Sequence, residues 1–344
     1  MAEKPTYGGQ AVIEGVMMRG PRHFAVACRR MSGEILVQEE PVPAFFTRFQ
    51  WARWPFLRGV FALADSLVLG MKSLLFSANL AMADEAAAQE AGKTSAAEDH
   101  EPPAGPGPLV QALIAPLYLM LGTTGNGSVS SIAVTGSAIF GMAMGIGLFM
   151  LFPSLVAGWF SPLVGETVWR SVIEGVVRVA LVLGYIGAIG RMQHVQRLFQ
   201  YHGAEHQAIN ALEADGRVDV DSAMRASRIH PRCGTNFILT VLLIKALVFT
   251  VLPFQNAILP RLALRLVMLP VVGSISFEII RLAGRYRNFA PLQWLVAPGL
   301  ATQYLTTREP KREMVEVAVA SLQAVMAKEH APAEPPASTG SAIA

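Results

Sequence analysis

The sequence predicts a mainly α protein: a polytopic membrane helical bundle with four clear spans and up to six, and a small β-containing domain at the N-terminus. Three features carry this. The 344 residues are 52% hydrophobic and only 15% charged, against about 25% charged in a typical soluble domain. Mean hydropathy is +0.41. Apolar runs recur near the ~20 residues that a bilayer core requires. An ordinary soluble globule and a largely disordered chain are both excluded.

Residues 1–50 read as a β-hairpin domain on the cytoplasmic side. Phe24, Val26 and Cys28 alternate, Met31-Ser32-Gly33 turns, and Ile35 and Val37 alternate again. Gly8-Gly9-Gln10-Ala11-Val12-Ile13-Glu14-Gly15-Val16-Met17-Met18-Arg19-Gly20-Pro21 precedes them as a glycine-interrupted strand or loop without the spacing of a phosphate-binding loop. Cys28 reads as core filler, and Glu14 and Arg19 as salt-bridged or solvated. The opening residues contain no apolar stretch, so no signal peptide is expected.

Residues 51–83 predict an amphipathic or membrane helix. Within 56–76, Arg58, Asp65 and Lys72 recur every seven residues and share one stripe. Residues 84–108 are rich in Ala, Glu, Pro and Gly and predict a disordered acidic linker. Residues 84–101 carry six acids and one base, a net of −5, which leaves +8 on the rest. A basic remainder suits an anionic membrane surface. No aromatic-interleaved basic patch argues for nucleic acid.

Membrane helices are predicted in 109–190 and again in 236–283. The run 109–121 contains Pro116 and reads as re-entrant or interfacial, being too short to span. The run 132–152 has no charge and holds a Gly141-x-x-x-Gly145 pair. The run 172–190 carries Glu174 and Arg178 four apart, a natural ion pair. The run 237–252 contains Lys245, which marks a substrate path, pairs with Glu174 or snorkels. The run 262–280 contains Arg265, Pro270 and Glu278, the last placed to pair with Arg281.

The segment 191–235 carries six arginines, whereas 154–170 and 253–261 carry one base each. By the positive-inside rule, 191–235 and both termini are cytoplasmic. A C-terminal cytoplasmic segment, 284–330, contains an amphipathic helix over 311–326, and 331–344 has the composition of a disordered tail. Two cysteines 205 residues apart, Cys28 and Cys233, fit a reducing compartment rather than a disulfide framework.

The predicted chemistry lies in 191–235. Tyr201-His202-Gly203-Ala204-Glu205-His206 contains H-x-x-E-H, the reversed zinc-protease helix motif. Residues four apart on a helix stand one turn above each other, so His202 and His206 can present imidazoles to one ion. Glu205 is placed to take a proton from a water there, the role of a catalytic general base. Met192, Val195, Phe199, His202, His206 and Ile209 share one stripe, and Asp215-Gly216 ends the helix. His194 reads as surface.

His230-Pro231-Arg232-Cys233-Gly234-Thr235 follows 24 residues after His206. His202, His206, His230 and Cys233 make a candidate ligand set for Zn²⁺ or another divalent transition metal, with Glu278 as an alternative ligand. The plain alternative is a set of buried, hydrogen-bonded histidines. Three histidines within 29 residues, beside a cysteine, favour the metal. A closed four-ligand site is structural, and an open position is needed for catalysis.

These segments, together with Pro298-Gly299-Leu300 and Gln303-Tyr304-Leu305-Thr306-Thr307, resemble those of the YqhQ-like family of bacterial membrane proteins, over about residues 7–325 apart from 84–108. The resemblance implies an integral protein of the bacterial cytoplasmic membrane. It also implies a metal-dependent enzyme of unestablished activity, with His202, Glu205, His206, His230 and Cys233 as the matched positions.

Three functions follow as expectations. The first is a membrane-embedded zinc hydrolase with a cytoplasm-facing site, acting on a membrane protein's peptide bond or a lipid-linked ester or amide. The second is a non-enzymatic scaffold or assembly factor with a structural metal. The third is a transporter-like protein using Glu174, Arg178, Lys245, Arg265 and Glu278. The lipid bilayer is the one partner expected in all three.

Overall fold

Four antiparallel strands open the chain, β1 (Gly8–Val12), β2 (Gly15–Arg19), β3 (His23–Arg29) and β4 (Ile35–Pro41), in the order β1-β2-β3-β4. The predicted hairpin is thus β3–β4, and the glycine-interrupted stretch before it is a second hairpin. The computed structural model describes residues 7–42, 54, 57–94, 141, 143–164, 168–251, 258–286 and 289–331. The run 109–121 and the tail from 332 lie outside the described residues, as do 132–140 and 142 of the run 132–152.

Val12 pairs with Gly15, so β1 and β2 meet through a two-residue turn. Such turns need positive φ, and Glu14 adopts it at 51°. A left-handed glutamate is unusual. Its carboxylate accepts two hydrogen bonds from Arg197 and one from the Tyr201 hydroxyl at 3.2 Å, and these hold the turn.

Successive strand residues point to opposite faces. Val12, Met17, Phe24, Val26 and Cys28 pack with Leu69, Phe76 and Leu80 of α1 (Leu57–Thr94). Val16, Met18, Ala25 and Ala27 face α4 (Gln193–Asp215) and α9 (Arg312–His330). The sheet is therefore the middle of three layers, buried on both sides. The expected alternation accounts for one side only, and small Ala25 and Ala27 bury the other. The Ser321 hydroxyl of α9 donates to the Ala25 carbonyl at 3.0 Å.

Helix α1 has 38 residues. It continues to Thr94, so residues 84–94 of the expected linker are helical. The charged stripe read from the sequence is spent on other elements. Arg58 pairs with Glu278, Asp65 with Arg19 (3.1 Å), and Lys72 with Glu40 (3.3 Å). Further along, Asp84 accepts from Arg30 at 2.6 Å. Glu278 thus takes Arg58, a partner from another helix, because α1 packs directly on α7 (Ile258–Arg285).

The bundle continues through a π-helical turn, Gly147–Leu151, into α2 (Phe152–Val164), then α3 (Val168–Ile189), α6 (Gly234–Val251), α7 and α8 (Ala290–Thr306). Helix α2 occupies much of 154–170, where a loop is expected, because the apolar run continues through Leu155, Val156, Trp159 and Phe160. Among the described residues, four helices are long and apolar enough to cross a membrane by length and composition: Arg58–Ala88, Ala143–Phe160, Val168–Ile189 and Ala263–Arg285. The apolar part of α6, Gly234–Phe249, is shorter. Helix α8 is not anticipated by the sequence, its periodicity being broken by Pro291 and Pro298. It packs along α6.

Inside the bundle Glu174 receives Arg178 (2.6 Å), as expected, and also Arg265 (2.7 Å). Arg265 also donates to Ser154 Oγ at 2.9 Å, and Arg178 to the Phe149 carbonyl at 3.0 Å. Two guanidiniums thus share one carboxylate, with a hydroxyl and a carbonyl as their neutral acceptors.

Candidate metal centre

Helix α4 runs from Gln193 to Asp215 and ends on Gly216 in the left-handed conformation (φ 68°), as Asp215-Gly216 predicts. Its middle is buried on every side, not along one stripe. The sheet and α9 cover one side. On the others lie the segment between α5 (Val220–Arg225) and α6, and the chain leaving α8. Gly203 is required there: a Cβ would stand 2.3 Å from the Arg308 carbonyl oxygen.

His202, His206 and Cys233 converge. One donor atom from each lies within 4.8 Å of the others. His202 Nε2 is 3.2 Å from Cys233 Sγ, and the His202 and His206 rings are 4.5 Å apart. In a closed tetrahedral site the donor–donor separation is roughly 3.3–3.8 Å, so the group is about one ångström wider at its longest edge.

Both imidazoles are oriented by backbone carbonyls. His202 Nδ1 lies 2.9 Å from the Thr306 carbonyl, and His206 Nδ1 lies 2.6 Å from that of Arg228. A carbonyl can only accept, so each Nδ1 carries the proton and each Nε2 keeps a lone pair. His206 Nε2 is buried and has no hydrogen-bond partner among the described residues. Burial lowers the His206 pKa, which keeps the ring neutral. The Cys233 thiol stands close enough to oppose that shift, yet reaches Nε2 without hydrogen-bond geometry.

Cys233 is positioned by a pinned turn. Gln303 of α8 clamps His230: its Oε1 accepts from the backbone N–H at 2.8 Å and its Nε2 donates to the carbonyl at 2.8 Å. Asn236 Nδ2 donates to the Pro231 carbonyl at 2.9 Å, and the Thr235 hydroxyl lies 3.1 Å from Cys233 Sγ. The His230 ring stands 5.7 Å from that of His206, but its Nε2 lies 3.7 Å from a Glu213 oxygen and is not one of the converging donors. Glu278 is engaged by Arg58 and stays outside the group.

Glu205 is buried beside the trio, with a carboxylate oxygen 3.9 Å from His202 Nε2. Burial raises its pKa, while His202, His230 and a hydrogen bond from the Gly9 backbone work against that rise. Strand β1 lies directly over it: a Cβ on Gly9 would meet Glu205 Cγ at 2.8 Å. His194 is exposed, as expected.

The contributions of Gly9, Arg228, Gln303 and Thr306 are not evident from the sequence. Gln303 offers a weak signal, being one of the few polar residues, with Gln293, Thr302 and Thr306, in a mostly apolar helix. The two carbonyls offer none, since every residue has one.

These elements define a helical membrane protein whose three-layer domain buries a histidine–thiol cluster at the end of the bundle. The chain belongs to a family described as "Protein of unknown function (DUF1385)", which matches residues 54–328. It is 33% identical over 326 residues to "Uncharacterized protein YqhQ" of Bacillus subtilis (strain 168), covering 94% of this chain and 92% of that one. No solved structure matches it.

Proposed function

We propose that this protein is a membrane-embedded, metal-dependent hydrolase whose site faces the cytoplasm, with His202, His206 and Cys233 as ligands of a zinc-like cation and Glu205 as general base. The carrying observation is the buried His206 Nε2, its lone pair turned to the cluster by the Arg228 carbonyl, close to the Cys233 thiol and without a well-formed hydrogen bond among the described residues. A buried acceptor left without a donor costs free energy that a cation recovers. A divalent ion held there supplies Lewis acidity toward water or a carbonyl or phosphoryl oxygen.

Three protein donors leave a fourth position open, the pattern of catalytic rather than structural zinc. Glu205 is buried close to those donors and can hold a proton on its carboxylate. Thr306 and Arg228 fix the ring orientations, as outer-shell carbonyls do. His230 stands beside His206 with Glu213 behind it.

One observation favours a structural site in a scaffold instead: β1 covers Glu205 so closely that substrate needs that cover to shift. Two variants separate the readings. Full-length protein purified in detergent without chelator should carry one transition-metal ion per chain, lost in His206→Ala. Glu205→Gln should keep both metal and protein level, yet reproduce the phenotype of deleting the gene. If the Glu205→Gln phenotype matches wild type while His206→Ala loses metal and protein together, the site is structural.

A further inference from the structure

A cavity of about 460 Å³ opens beside the cluster, where apolar α3 gives way to polar α4. Its walls include Gly187 and Gly190 from the end of α3, Gln200 from α4, and Arg228, Tyr304 and Arg308. That volume lies within the range of small-ligand sites, about 300–1,000 Å³.

The two arginines are anchored but keep donors to spare. Arg308 Nη2 donates to the Gly190 carbonyl at 3.0 Å, and Arg228 Nη1 donates to the Thr307 carbonyl and hydroxyl at 2.8 and 2.9 Å. A guanidinium has five N–H donors, so most remain. Arg228 stacks over the Tyr304 ring, 5.4 Å from its centroid. Glu309 also lines the cavity: its side chain is 72% exposed, 3.5 Å from Arg228, and accepts one hydrogen bond from Gln207 Nε2 at 3.3 Å. A screened rim carboxylate of that kind is weakly held and readily displaced.

The other wall is apolar. Ile186 and Leu305 line the cavity, and Tyr304 and Leu305 are exposed at its mouth, 65% and 44%. Fixed guanidiniums beside an apolar wall, at the end of a membrane-crossing helix, match a charged head joined to an aliphatic tail. A planar fork of donors suits phosphoryl oxygens in particular.

We propose that this cavity binds the phosphoryl head group of an anionic lipid-like ligand, with Arg228 and Arg308 as its donors and the aliphatic part against Ile186 and Leu305. The site shares its wall with the cluster. The Arg228 carbonyl orients His206 while its guanidinium lines the cavity, and Thr306, which orients His202, lies two residues before Arg308. The bound head group is thereby linked to the cluster through the backbone of Arg228 and of 306–308. Its role as substrate there rests on the proposed function, but its binding does not.

Native mass spectrometry of the full chain in neutral detergent tests this, with phosphatidylglycerol, phosphatidylcholine and inorganic phosphate as probes. Phosphatidylglycerol should be retained about tenfold better than phosphatidylcholine, and the Arg228→Gln/Arg308→Gln double variant should lose that preference. Glu309→Gln should tighten phosphatidylglycerol binding, a gain that misfolding cannot imitate. Inorganic phosphate should compete with the lipid. Equal retention of the two lipids, an unchanged double variant or an unchanged Glu309→Gln each overturn the proposal. Phosphate binding without lipid retention overturns its lipid part and assigns the cavity to a soluble phosphoester. Metal content read on the same samples separates the two claims: lipid retained by metal-free protein sinks the hydrolase and leaves this site standing.

Discussion

Gly9 on β1 and Glu205 on α4 touch, and no side chain fits between them. A Cβ on Gly9 would lie 2.6 Å from the Met17 carbonyl oxygen, 2.8 Å from Glu205 Cγ and 2.9 Å from Met18 Sδ. A Cβ on neighbouring Gly8 meets nothing within 4 Å. Gly9→Ala should therefore lower stability by about 1–3 kcal/mol, the usual cost of overpacking, while Gly8→Ala should not. Thermal melting of both variants in detergent checks this.

Gln303→Leu removes both halves of the clamp on His230. Each buried backbone group left without a partner costs about 1–3 kcal/mol. The melting temperature should fall, and metal content should fall with it because the turn carrying Cys233 loses its anchor. A melt unchanged from wild type would show that water replaces the amide.

Metal removal should destabilise the wild type. A ligand at a hundredfold its dissociation constant contributes about 2.7 kcal/mol to the folded state. Chelator should lower the melting temperature of wild type and leave that of Cys233→Ser where it already lies. Parallel shifts in both proteins would sink the assignment of Cys233 as a ligand.

The two thiols should react differently. Burial, with the nearby Glu14 charge adding to it, pushes Cys28 up to about 12. Thiolate is then scarce at neutral pH. In folded Cys233→Ser protein at pH 8, an alkylating reagent should add no label, and one label should appear on unfolding, read by intact mass.

Glu329 gives a pH dependence of definite sign. Burial opposes its charge, but the Arg22 and His23 backbone N–H groups and the Arg22 guanidinium outweigh that and hold its carboxyl below the usual range. A lowered folded value means stability that is full above the unfolded value of about 4.3 and lost as pH falls through the folded one. Glu329→Gln should cost about 1–3 kcal/mol at pH 7, and the two melting curves should converge as pH falls through the lowered folded value. A gap that persists at low pH would mean that shape rather than charge holds β3 to α9.

What was legible in the sequence was local. The 3.6-residue spacing of His202 and His206, the Asp215-Gly216 stop and the β3–β4 alternation each need only a few neighbours to interpret. The Arg58, Asp65 and Lys72 stripe was visible for the same reason, but its partners lie on α7, β2 and β4. The contact of Gly9 with Glu205 joins residues 196 apart, and no periodicity encodes it. Cys233 and His230 both looked able to ligate. The choice falls to Gln303, Asn236 and Glu213, which fix how the intervening turn presents its side chains.

Helix α1 is an unbroken rod seated in the bundle at Arg58 and in the sheet at Asp84. At about 1.5 Å per residue those anchors stand about 39 Å apart, and a 5° swing at one end carries the other through about 3 Å. Helix α1 thus ties α7, through Glu278, to the strands that lie over the histidine–thiol chamber in a single continuous element.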